Sequence, residues 1–139
     1  MIQIITGEKG KGKTRILLNK VNEAAAAASG NMVFLDKNTK KMFELNNKVR
    51  LINVREYLIS NHNEFIGFIS GIISQDHDLE QIYLDNFLDI STSKPEDVPV
   101  LLDKLNKLSE TFHIEFIISI SIEKSDIPTE YAECVIAAL

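Results

Sequence analysis

Near the start of the chain, Gly7-Glu8-Lys9-Gly10-Lys11-Gly12-Lys13-Thr14 brings together glycines, lysines and a hydroxyl. The stretch fits the pattern G-x-x-x-x-G-K-[ST]. Glycines allow backbone angles at which successive N–H groups converge, and converging N–H groups cradle an oxyanion. A helix opening directly behind such a loop adds its own unpaired N–H groups and the positive end of its dipole. The chemistry implied is the binding of a nucleotide's phosphates. Gly7, Glu8, Lys9, Gly10, Lys11 and Gly12 would form the cradle, with Arg15 just behind it. Lys13 would reach the β- and γ-phosphates, and the Thr14 hydroxyl would ligate Mg²⁺.

Such a loop works only if a buried strand precedes it and a helix follows. MIQII, residues 1–5, is short, apolar and β-branched, which predicts the strand. Ile16, Leu17, Val21, Ala24, Ala25 and Ala28 recur at helical spacing and predict a helix over 13–28, stopped by Gly30-Asn31. NMVFLD (31–36), QIYLDN (81–86), HIEFIISISI (113–122) and CVIAAL (134–139) read as further strands. Residues 41–53 read as a β-hairpin turning at Asn46-Asn47, although either arm could belong to the main sheet. A helical turn is expected at 55–60, then a helix over 63–75. That helix would bury Phe65, Phe68, Ile69, Ile72 and Ile73, with Gly67 and Gly71 permitting close packing. Ser93, or Asp97 if the register slips past Pro99, would cap a helix running to about residue 111. A short helical piece follows the break at 125–128. Alternating strands and helices predict a single α/β domain over 1–139. Its three α/β/α layers would enclose a mostly parallel five-stranded sheet, with the small β-hairpin as an insertion.

At 139 residues the chain suits one compact domain, and 45 % apolar residues suffice for a core. A net charge of −5 argues against a general nucleic-acid or acidic-membrane binder, while leaving room for a local basic patch. The lone Cys134 permits no intrachain disulfide and no cysteine-rich zinc site, and reads as a small core residue. His62, His77 and His113 show no metal-ligand spacing. With no membrane-length apolar run and no secretory signal, the expectation is a cytoplasmic protein without membrane insertion.

The loop resembles the Walker A motif of P-loop nucleoside triphosphatases. Ile82-Tyr83-Leu84-Asp85 resembles their Walker B strand, whose aspartate holds Mg²⁺ directly or through water. The resemblance thus implies the P-loop NTPase fold, ATP and Mg²⁺ as cofactors, and Thr14 and Asp85 on the metal. It is to a stripped-down core of the RecA-like division, where an extra strand lies between the two motif strands. HIEFIISISI would be that strand. The sheet order would run from the terminal strand through strand 1–5, HIEFIISISI and QIYLDN to NMVFLD. Many relatives place a glutamate directly after the Walker B aspartate; here Asn86 stands there and cannot act as a base. RecA-like proteins carry a catalytic glutamate at the end of the strand after the P-loop helix, and the matching residue is Asp36. Relatives place a polar sensor at the end of the central strand, which here means Ser119 or Ser121.

The resemblance implies Mg²⁺-dependent ATP binding with slow or partner-stimulated hydrolysis. The partner is left open: another protein or a further copy of the chain. The absence of an N-K-x-D base-recognition motif favours ATP over GTP. Two other classes compete. The string GKGKT also resembles the loop of corrinoid adenosyltransferases, although no corrinoid-binding segment follows, and a small kinase would need an arginine-bearing lid. A nucleotide-binding regulatory module without catalysis is consistent with Asn86. Lys37, Lys40 and Lys41 form a basic cluster, read as a solvated hairpin rim or a contact for a partner or nucleic acid.

Overall fold

The computed structural model describes residues 1–139. Its strands are β1 (Ile2–Thr6), β2 (Asn31–Asp36), β3 (Val49–Asn53), β4 (Leu79–Leu84), β5 (Glu115–Ile120) and β6 (Val135–Ala138). Its helices are α1 (Lys13–Ala27), α2 (His62–Ser74), α3 (Phe87–Ile90) and α4 (Val98–Phe112). All six strands join one sheet in the order β3-β2-β4-β5-β1-β6, and every neighbouring pair is parallel.

The apolar runs are continuous because both faces of the sheet are covered. Successive side chains of a strand point to opposite faces. Thus Ile5, Phe34, Tyr83 and Ile117 pack with Leu17, Leu18, Val21 and Ala25 of α1. Their neighbours Ile4, Leu35, Leu84 and Ile118 face the larger core, with Phe65 and Ile69 of α2 and Leu101 and Leu105 of α4. The sheet is therefore a middle layer, with α1 on one side and α2 to α4 on the other. Asn61 starts α2: its side chain accepts the Glu64 N–H at 2.9 Å, pairing one of the N–H groups a helix start leaves open.

Two expectations need correction together. The sheet has six strands rather than five, and residues 41–53 form no hairpin. Met42–Glu44 is a single 3₁₀ turn, and 49–53 pairs parallel with β2, Phe34 opposite Leu51. The chain does turn at Asn46, whose carbonyl accepts the Val49 N–H at 2.9 Å and whose side chain accepts the Lys48 N–H at 2.9 Å. That turn feeds β3 into the sheet edge, where Val49 and Leu51 extend the core beside α1.

Smaller corrections follow. The turn expected at 55–60 is a 3₁₀ turn at Val54–Glu56. Gly67 and Gly71 permit no close packing: both are exposed, and a Cβ at either would meet nothing within 4 Å. The helix after Ser93 begins only at Val98, behind a 3₁₀ turn at Pro95–Asp97. No helix is long and apolar enough to cross a membrane.

Candidate functional site

In a parallel sheet all strands end at the same edge, so loops far apart in sequence meet there. The glycine-rich loop follows β1, Asp36 ends β2, Asp85 follows β4 and Ser119 lies near the end of β5. The crossover order puts β5 between β1 and β4 and brings Ser119 next to Asp85. A cavity of about 390 Å³ opens at this edge, within the usual range for small-ligand sites. Its ten lining residues include no hydrophobic one: Lys9, Gly10, Gly12, Lys13, Thr14, Lys37, Asp85, Asn86, Ser119 and Ser121.

The loop folds back over its own lysine. Lys13 Nζ donates to the Gly7 and Glu8 carbonyls, both at 2.8 Å. Burial pushes the Lys13 ammonium below the ordinary lysine range; Asp85 opposes that shift and Lys9 adds to it. Gly12 sits at φ 94°, a left-handed conformation that a residue with Cβ adopts at a cost, and α1 starts on the next residue. The first turn of α1 carries no acidic residue, so nothing on the helix neutralises its positive end.

Across the cavity, Asp85 is fully buried and heavily bonded. Its Oδ2 accepts the Thr14 hydroxyl at 3.0 Å, and its Oδ1 accepts the Ser119 hydroxyl at 2.6 Å and the Asn86 N–H at 3.1 Å. Thr14 and Asp85, hydroxyl beside carboxylate, are the hard oxygen donors Mg²⁺ prefers. Ser121 lines the same cavity but lies past the end of β5 and makes no hydrogen bond to Asp85. Of the two serines, Ser119 is the one joined to the carboxylate.

Asp36 is also fully buried. Its Oδ1 accepts the Lys37 N–H at 2.7 Å and the Asn86 side-chain amide at 3.3 Å, and its Oδ2 accepts Lys41 at 2.9 Å. It is absent from the cavity lining, and its oxygens are engaged by these three donors. Asn86 therefore has a definite place: its N–H meets Asp85 and its side chain meets Asp36. An asparagine suits that post twice over, because the residue sits at φ 53°, where Asn is tolerated better than most.

Other members of the glycine-rich stretch point elsewhere. Arg15 pairs with Glu44 at 2.5 Å on the exposed side of α1, outside the cavity. Glu8 contributes its carbonyl to Lys13 while its side chain is exposed, and Lys11 is exposed as well. The basic cluster after β2 does not form a solvated rim. Lys37 lines the cavity and pairs with Asp89 at 3.3 Å, Lys41 turns inward to Asp36, and only Lys40 is exposed. Asp89 carried no sequence signal of a site role, and Lys41 read only as part of the basic cluster, not as a partner of Asp36. Their places follow from which loops meet at the edge, and no linear spacing encodes that.

No protein-family model matches this chain, and no curated protein is significantly similar to it.

Proposed function

We propose that the chain is a P-loop protein that binds a nucleoside triphosphate, ATP by preference, together with Mg²⁺, and that it hydrolyses the nucleotide slowly. The observation that carries this reading is the convergence on one polar cavity of the glycine-rich loop, Lys13 and the Thr14–Asp85 pair. Lys13 is held at the cavity by two loop carbonyls, weak partners for an ammonium, and a phosphate oxygen would replace them with a full charge. The free N–H groups at the start of α1 and the Lys9 and Lys37 side chains surround the space with positive charge. Thr14 and Asp85 would hold Mg²⁺, which when bound supplies Lewis-acid charge to phosphate oxygens. Ser119 and the Asn86 N–H fix the Asp85 carboxylate by bonding one oxygen and leave the other toward Thr14.

Slow turnover follows from the carboxylates. A general base needs a free oxygen within reach of the attacking water. Asp85 is the sole carboxylate lining the cavity; it accepts the Thr14 hydroxyl and would be taken up by Mg²⁺. Asp36 is fully buried and lies outside the cavity lining, so it could reach the attacking water only if its surroundings opened. That same observation favours a second reading, a module that binds nucleotide without turning it over.

Incubating the protein with Mg²⁺-ATP and following phosphate, ADP and tripolyphosphate over hours separates the readings. ADP with phosphate supports hydrolysis, and binding without products supports the module. Tripolyphosphate would replace both with adenosyl transfer, and no binding of any nucleotide would remove the proposal.

A further inference from the structure

We propose that Lys41 is the resident counter-ion of the two buried carboxylates, and that a divalent cation arriving with a nucleotide displaces it. The inference rests on the nucleotide reading above and deepens it: metal binding at this site becomes conditional on the nucleotide. Lys41 Nζ lies 2.9 Å from Asp36 Oδ2 and 3.9 Å from Asp85 Oδ2, and its side chain is four-fifths buried. Asp85 Oδ2 is the same oxygen that accepts the Thr14 hydroxyl at 3.0 Å. The ammonium therefore sits beside the oxygen that a cation between Thr14 and Asp85 would use.

Two buried carboxylates at neighbouring strand ends need a compensating charge. The nearby lysines are engaged elsewhere: Lys37 and Lys9 pair with Asp89 at 3.3 and 3.8 Å, and Lys13 with loop carbonyls. Lys41 is the one ammonium within 4 Å of both Asp36 and Asp85. A dication seated on Asp85 would face the largely buried Lys41 ammonium at a few ångströms, and the two like charges repel. Lys41 comes from the connection 37–48, whose regular structure is limited to the 3₁₀ turn Met42–Glu44. It can withdraw without breaking a strand. A metal alone must pay for that withdrawal, whereas a metal bound to polyphosphate brings Lys13 and the loop as additional partners.

The test is Mn²⁺ binding, read by electron paramagnetic resonance, to the full chain and to Lys41→Met, first without nucleotide and then with ATP. The wild-type chain should take up Mn²⁺ only with ATP. Lys41→Met should bind bare Mn²⁺ about ten-fold or more tightly than wild type, as removing a unit charge a few ångströms away requires. The exposed neighbour, changed as Lys40→Met, should behave as wild type. Equal bare-Mn²⁺ affinity in Lys41→Met and wild type would overturn the assignment. Should Lys41→Met fail to fold, amine acylation of the wild-type chain decides. Lys41 should be protected when free and reactive with Mg²⁺-ATP bound; continued protection in the complex overturns the displacement. If wild type ignores ATP altogether, the nucleotide reading falls, and the bare-Mn²⁺ comparison still judges Lys41 as counter-ion.

Discussion

Replacing Ser119 by alanine should cost about 2 kcal/mol, and replacing Ser121 almost nothing. Ser119 is buried, donates to Asp85 Oδ1 at 2.6 Å and accepts the Asn86 N–H at 3.0 Å. A hydrogen bond to a charged group contributes about 1.5–3 kcal/mol. The loss falls inside that range because neither partner is orphaned. Asn86 N–H keeps Asp85 Oδ1 at 3.1 Å, and Asp85 keeps Thr14 at 3.0 Å. Ser121 has no bond to Asp85 to lose, so Ser121→Ala should stay within about 0.5 kcal/mol. Urea denaturation followed by circular dichroism reads both. With a slope near 2 kcal/mol per molar, Ser119→Ala should lower the midpoint by about 1 M at unchanged slope. Equal midpoints for Ser119→Ala and wild type, or an equal loss in Ser121→Ala, would refute the placement of Ser119 as the support of Asp85.

Three further outcomes follow from local structure. Asn61→Ala removes the side-chain acceptor for the Glu64 N–H and should cost about 1 kcal/mol in the same urea assay. Gly67→Ala and Gly71→Ala should each stabilise by about 0.5–1 kcal/mol, since both sit exposed inside α2 with open space at the Cβ position. Burial, aided by Glu115, holds the Tyr83 phenol above the ordinary tyrosine range. As pH rises past about 10 the unfolded chain releases a proton that the folded chain keeps, so this contribution to stability is present below 10 and lost above it. Tyr83→Phe should therefore show a shallower fall in urea midpoint from pH 10 upward than wild type does.

The parts of the fold that follow from local sequence were readable. β1, β2, β4 and β5 are short apolar runs because each is covered on both faces, and that pattern is visible without coordinates. The order of those four strands, with β5 between β1 and β4 and β6 outside β1, followed from the resemblance and agrees with the sheet. β3 was harder. It is only partly buried, with Arg50 exposed and Leu51 and Ile52 half-buried, as an outlying hairpin arm is, and it follows an Asn-Asn turn. Its partner β2 was fixed by packing beside α1, a non-local matter. Ser119 and Ser121 share strand parity, so periodicity cannot choose between them; the end of β5 at Ile120 does. Asn86 read as a missing base, while the structure gives it a linking role between two carboxylates. The inward turn of Lys41 depends on a connection with one 3₁₀ turn and no periodic pattern.

The central claim is that Lys13 and its loop hold a triphosphate. Thermal unfolding of wild type and Lys13→Ala, each with and without Mg²⁺-ATP, tests it most directly. The comparison is made within each variant, because Lys13→Ala loses two bonds to loop carbonyls and also sheds a buried charge, so its starting midpoint differs. A ligand at 100 times its Kd stabilises the folded state by about 2.7 kcal/mol, a shift of several degrees. Wild type should show that shift and Lys13→Ala none. An equal nucleotide-dependent shift in Lys13→Ala, or no shift in wild type at millimolar Mg²⁺-ATP, would contradict the account.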